Sequence, residues 1–253
     1  VTVELVRLST ASTAPRLLCL PHAGGRGDFY RRWTGDLAGT LEVWTVALPG
    51  RHRRAGEPAE TDLDAVVKSI AVQSLELLDR PLAIFGHSMG AILGLEVVRE
   101  METSGPPLRG LVVSGCSAPL LRAPRTGPDQ RTDEDLAGLL KSWGGTPPEL
   151  LGDSAFLHAA LPVLRADLVL YDQYQVRPGQ VRTPLMALAG STDTTAPAVE
   201  VGAWSGYAGD WRGLRVLPGG HFFIYDAQRA VIDAIIATAY SIRGPLSAVD
   251  GRA

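Results

Sequence analysis

Short apolar runs punctuate this chain at Arg16–Leu20, Val43–Leu48, Leu82–Phe85, Leu108–Val113, Leu185–Leu188 and Leu214–Leu217, and longer amphipathic stretches separate them. Such a run can be buried on both faces as a strand, and the stretches between are long enough to cross over as helices. The alternation predicts an α/β fold, a mostly parallel central sheet flanked by helices. Over Asp64–Leu78 the residues Val67, Ile70, Ala71, Ser74, Leu75 and Leu78 keep three- and four-residue spacing, the mark of one buried helical face. A second helix follows Ser88, suggested by Ile92, Leu95, Glu96 and Arg99, and should stop near Ser104-Gly105-Pro106-Pro107. A last one spans Ala227–Ile242, with Val231, Ile235 and Ala239 on one side.

One segment, about 118–181, lies between two strand candidates and is too long for a single crossover. After Pro119, Pro124 and Pro128 it offers Thr132-Asp133-Glu134-Asp135, a capping-box pattern, then Leu136, Leu139, Leu140 and Trp143 at helical spacing. Further helices are expected over Ala155–Leu161 and Val163–Tyr174. A helical insertion at this point would sit over the carboxyl ends of the strands, where ligands bind in open α/β sheets, and is read as a lid. Its Leu136, Leu139, Trp143, Phe156, Leu157 and Leu161 either line a channel or pack on the core. No Ser/Gly-rich or charged linker divides the 253 residues and no repeat recurs, so one domain is expected, with a small, polar, disordered tail over 244–253.

Charge excludes one class of partner: 24 basic residues face 27 acidic ones, without the basic excess of a nucleic-acid binder. The first residues, VTVELVRLST, lack a signal-peptide pattern, and no apolar run approaches the roughly 18 residues that span a bilayer. A cytoplasmic monomer that binds no membrane is expected. Cys19 and Cys116 lie beside apolar runs without metal-ligand spacing, which suits buried, reduced packing residues.

Within "LAIFGHSMGAILGLEVV", residues 82–98, a Gly-His-Ser-Met-Gly pentapeptide interrupts two apolar runs. Ser88 follows a predicted strand and opens a predicted helix, the setting of a nucleophile elbow, in which Gly86 and Gly90 would be small because no side chain fits. The competing reading is a serine that merely caps a helix. The helix beginning at Met89 also aims its N–H groups and positive dipole end at the site. Serine needs a base, and of the two histidines after Ser88, His158 lies in the insertion as a partly buried helical residue. His221, in "PGGHFF", directly follows the strand "LRVLP". For the acid, Asp193 in "AGSTDTTAP" lies just past a strand, with Asp210 a distant second; Asp167 and Asp172 read as solvated or capping residues of lid helices. The oxyanion donors would be backbone amides: Met89 after the serine, and Ala23 in the turn "LLCLPHAGGRG". His22, beside Gly24-Gly25, fits a loop-shaping hydrogen bond better than a base.

Together "LPHAGG" at 20–25, "GHSMG" at 86–90 and "GGHFF" at 219–223 resemble the type II thioesterases of polyketide and nonribosomal peptide synthases, within the α/β-hydrolase superfamily. The resemblance runs nearly the whole chain, through "LPGRHRR" at 48–54, "LPVLRAD" and "AGSTD", and departs from the expected pattern at His52, where an acidic residue is usual. It implies a Ser88–His221–Asp193 thioesterase that strips aberrant or stalled acyl groups from the phosphopantetheine arm of carrier domains, with Ala23 and Met89 as the oxyanion hole and no cofactor of its own. Carrier domains are acidic around that arm, so Arg51, Arg53, Arg54, Arg122 and Arg125 would form a steering rim, or simply a solvated loop surface. A carboxylesterase, or another ester or amide hydrolase, is the alternative on the same scaffold, and a non-catalytic binding protein is a further one.

Overall fold

The strand-forming runs pair into one sheet. In the computed structural model, which describes residues 3–103, 105–122 and 129–240, the strands are β1 (Glu4–Arg7), β2 (Arg16–Leu20), β3 (Glu42–Ala47), β4 (Leu82–His87), β5 (Gly110–Ser114), β6 (Leu185–Gly190) and β7 (Trp211–Leu217). Their order is β1-β3-β2-β4-β5-β6-β7, parallel throughout except for β1, which runs antiparallel to β3. The chain steps outward from β2 to β3 and then returns to lay β4 on the other side of β2. This reversal creates a crevice at the carboxyl ends of β2 and β4, the place where open α/β sheets bind ligands.

Alternate residues of the central strands feed two core layers, because successive side chains of a strand point to opposite faces. Leu18, Leu20, Ile84, Leu111, Val113 and Ala187 join one layer, packed by α1 (Leu63–Ser74) and α2 (Met89–Glu102). Leu17, Cys19, Phe85, Val112, Met186 and Leu188 join the other, with Trp33 and the C-terminal helix Gln228–Ala239. Both cysteines are buried and free. Each fully buried Leu or Phe contributes roughly 1.5–3 kcal/mol, so the two layers are the main source of stability.

Between β5 and β6 run α3 (Asp133–Trp143), α4 (Pro148–Leu151) and α5 (Ser154–Asp172). The capping box forms as expected: Thr132 accepts from the Asp135 N–H at 3.1 Å, and Asp135 accepts from the Thr132 N–H at 2.7 Å. Leu136 and Leu161 are buried in the core, Leu139 and Leu157 pack against it, and Trp143 and Phe156 line a cavity.

Several expectations are corrected. The two helices expected around Pro162 are one continuous α5, because Leu161, Leu164 and Leu168 bury its face against the core and outweigh the one backbone bond that the proline removes. Past the end of α1, Leu75 and Leu78 are 56% and 40% exposed, since the chain tightens into a 3₁₀ turn at Leu75–Leu77, and the changed phase buries Leu77 instead. β1 went unpredicted, as a four-residue, half-exposed edge strand without an apolar run. α5 is long and apolar enough, by length and composition alone, to cross a bilayer, but it packs on the core and its Asp167 is 1% exposed. The tail over 244–253 lies outside the described residues.

Candidate active site

β4 is buried along its whole length and is followed directly by Ser88, whose φ of 54° and ψ of −120° put a non-glycine residue in a left-handed conformation. Holding such a backbone costs of order 1–3 kcal/mol and requires surroundings that over-determine it. They do so here by backbone alone. A Cβ at Gly86 would press into the Gly90 carbonyl and come within 2.7 Å of the Ala91 nitrogen, and one at Gly90 would meet the Leu20 carbonyl, with Pro21 O at 2.9 Å. Both glycines are therefore required by close approach, as the pentapeptide suggested. The Ser88 N–H donates to Ser114 O at 2.8 Å, tying the turn to β5. Its side chain makes no capping bond to α2, so the hydroxyl of this half-buried residue is not spent as a helix cap.

His221 and Asp193 come from the turns after β7 and β6. These turns press together: a Cβ on Gly190 would lie 2.6 Å from Gly219 O, and Gly219 itself sits at φ 120°. His221 Nδ1 lies 2.9 Å from Asp193 Oδ2, both residues 5% exposed. The other carboxylate oxygen, Oδ1, accepts the N–H groups of Thr195 at 2.8 Å and Ala196 at 3.1 Å. With its carboxylate fixed at both oxygens, Asp193 accepts from Nδ1–H and leaves Nε2 as the acceptor of the ring. Asp210, the other candidate, instead binds Arg212 at 2.7 Å.

The Ala23 turn follows β2, across the crevice from Ser88. Ala23, Ser88, Met89 and His221 line one cavity of about 310 Å³, whose other walls include Ser117, Arg122, Tyr171 and Glu200. There the Ser117 hydroxyl donates to Glu200 Oε2 at 2.6 Å. A second cavity, about 570 Å³, lies beneath the insertion and is walled by Leu140, Pro147, Leu150, Phe156, Val163 and Phe222; Ala23 and Trp143 border both. His22 shapes the turn as expected, its Nδ1 3.0 Å from Ala23 O and its ring edge-on to Phe222 at 4.8 Å. Removal from water pushes its pKa down to about 4, so the ring is neutral and donates from Nδ1. Burial, and then the neighbouring His221, also hold His87 well below the usual histidine range.

The arginine rim does not form as drawn. Arg51 is buried, its guanidinium forked onto Asp167 through two 2.6 Å contacts, so Asp167 is neither solvated nor a cap. Arg54 is buried too, donating to Ala47 O and to Glu57. Arg53 reaches the surface and pairs with Glu4 at 2.5 Å, while Arg122 lies over the Tyr171 ring at 3.4 Å. Arg125 lies outside the described residues. His158 is exposed rather than partly buried, and Asp172 pairs with Arg131. His52 adopts φ 50° and stands 3.9 Å from Asp28. Asp167, Glu200 and Tyr171 carry no sequence signal as site residues: each lies in a helical stretch, and the partner that draws it into the site is far away in sequence.

A hydroxyl on a strained strand-to-helix turn, an imidazole locked to a carboxylate, and both at the carboxyl edge of a parallel sheet define an α/β-hydrolase. Residues 15–239 match the thioesterase domain family, and the chain belongs to that family. The thioesterase PikA5 of Streptomyces venezuelae is 34% identical over 254 residues, covering 96% of this chain and 90% of that protein. A probable cadicidin biosynthesis thioesterase of Streptomyces griseus is 37% identical over 86% of this chain, which spans 60% of that protein's length. The type II thioesterase BorB from the borrelidin biosynthetic cluster superposes with a TM-score of 0.84 at 34% identity, covering 93% of this chain and 97% of that one.

Proposed function

We propose that the protein is an editing thioesterase that hydrolyses aberrant or stalled acyl groups from the phosphopantetheine arm of carrier domains, in the cytoplasm beside a polyketide or nonribosomal peptide synthase. Ser88 Oγ attacks the thioester carbonyl while His221 Nε2 takes its proton; the tetrahedral intermediate collapses, and the thiolate leaves with that proton. Water then attacks the acyl-serine with His221 again as base, releasing the acid and restoring the hydroxyl. Asp193 holds the imidazole tautomer and stabilises the imidazolium without itself taking the proton. The Met89 and Ala23 amides serve as the oxyanion hole, each worth about 10²- to 10³-fold in rate. The steps draw on side chains and amides alone and call for no metal or redox cofactor.

The two cavities suit the two halves of such a substrate. The more polar one, around Ser88 with Ser117 and Glu200 in its wall, suits the amides of the pantetheine arm. The apolar one beneath the insertion, acting as a lid, suits the acyl chain, with Trp143 at the junction. Arg53 and Arg122 remain the candidates for carrier contacts, since Arg51 and Arg54 are committed inside.

The observation that most supports the reading is the 2.9 Å Asp193–His221 contact, which brings an oriented imidazole to the cavity where Ser88 stands at φ 54°. The test is mass spectrometry of a panel of acyl-carrier domains, with matched oxygen esters in parallel. Wild type should return carriers to the free thiol, and Ser88→Ala should leave them loaded. Loaded carriers left intact by an enzyme that still cleaves the oxygen esters would replace this reading with an esterase.

A further inference from the structure

The Arg51–Asp167 pair joins three segments distant in sequence. Asp167 belongs to α5 of the insertion, Arg51 to the turn after β3, and both reach the turn after β2. Asp167 Oδ2 accepts the Gly24 N–H at 2.7 Å as well as Arg51 Nη1, and that same Nη1 donates to Gly25 O at 3.2 Å. Both charged side chains are almost wholly out of water, at 8% and 1% exposure. A buried ion pair is a poor route to stability, since well-packed apolar residues of similar volume often do as well or better. Its placement points to another role.

The bonds trace how the turn is held. The Ala23 N–H shares a peptide plane with the His22 carbonyl and points the opposite way from it. That carbonyl accepts the Gly25 N–H at 2.9 Å, and Gly25 is in turn held through its own carbonyl by Arg51. The next plane is tied at both ends, Ala23 O to His22 Nδ1 at 3.0 Å and Gly24 N–H to Asp167. The direction of the Ala23 N–H is thus set by planes that the ion pair anchors.

We infer that Arg51 and Asp167 are positioning residues that aim the Ala23 amide at the reacting carbonyl, so that the oxyanion hole is complete only while α5 is docked on the core beside the turn after β2. The inference rests on the reading of Ala23 as an oxyanion donor, and it adds that the insertion helix takes part in setting that donor. An acyl chain seated under α5 and the amide that stabilises its tetrahedral intermediate are then governed by one contact.

The test compares Arg51→Met/Asp167→Leu and Asp167→Asn with wild type, measuring melting temperature, kcat and KM on a small acyl-thioester, and the rate at which a fluorophosphonate labels Ser88. The apolar pair should keep the wild-type melting temperature or exceed it, yet lose about ten- to a hundredfold in kcat with KM changed by less than about threefold, and the labelling rate should fall in parallel. A folded double variant that keeps kcat and labelling within about twofold overturns the inference. Should the double variant not fold, Asp167→Asn, which keeps the side-chain shape, decides by the same two rates per folded molecule: a fall supports the inference, and wild-type rates overturn it. The labelling rate needs no carrier domain, so an enzyme that leaves acyl carriers loaded would defeat the substrate reading while still reporting on Ala23.

Discussion

At the Ser88 elbow, backbone fills the space: Gly86 lies against the Gly90 carbonyl and the Ala91 nitrogen, Gly90 against Leu20 and Pro21, and no atom can be added. In the insertion, side chains do the holding. α3 presents one fully buried residue, Leu136, a cavity of about 570 Å³ remains beneath the helices, and Gly138 has nothing within 4 Å of where a Cβ would stand. The contrast matches the work proposed for each. A strained nucleophile needs rigid surroundings, whereas a cover over a variable acyl group needs room, and close-packed backbone leaves none.

Gly86→Ala attacks the rigid side of this comparison and should have the largest effect. The neighbours it meets are backbone atoms of the turn and of the first residues of α2, which cannot step aside without moving Ser88. A loss of about 3 kcal/mol, the upper end for overpacking, is expected in urea unfolding, together with loss of Ser88 labelling by a fluorophosphonate. A loss below about 1 kcal/mol would mean that the elbow yields as the insertion does.

The same contrast separates what the sequence disclosed from what it withheld. Strands buried on both faces appear as apolar runs, so β2, β4 and β6 are legible within a residue or two, and with them the turns that carry Ser88 and Asp193; His221 follows the half-exposed β7. Local signals carried the capping box at Thr132 and the paired glycines of the elbow. Long-range pairing left no trace. Arg51 and Asp167 lie 116 residues apart, and neither shows in its own neighbourhood that the other will neutralise it, so one reads as a docking cation or a solvated loop residue and the other as a solvated or capping acid. Pro162 misled for a related reason: a local rule broke the helix, and core contacts made from distant strands kept it whole.

The seam between the two regions should respond to acid. His22 stands where the Ala23 turn meets the cavity under the insertion, with its pKa held down to about 4 in the fold against 6.5 when unfolded. Between those values the unfolded chain binds more protons than the folded one, so stability is complete above about pH 6.5 and falls as pH drops towards 4. At about 1.4 kcal/mol per pKa unit, the contribution is at most about 3.5 kcal/mol, and buried His87 acts in the same direction. Chemical denaturation between pH 7 and 4 should show this slope, and His22→Gln should flatten it. An unchanged slope would remove His22 from the seam's pH response.

The smallest effect, opposite in sign, is expected where the insertion is open. Gly138 lies in the interior of α3 on its exposed side, with ordinary helical backbone and free space around it. Alanine there should add about 0.5–1 kcal/mol, because the unfolded chain loses freedom and the helix gains a better former. The added methyl touches neither cavity wall nor core, so kcat on acyl thioesters should stay within about twofold. If Gly138→Ala instead lowers turnover while raising the melting temperature, α3 must flex during the cycle, and the looseness of the insertion serves catalysis rather than merely leaving space for the acyl chain.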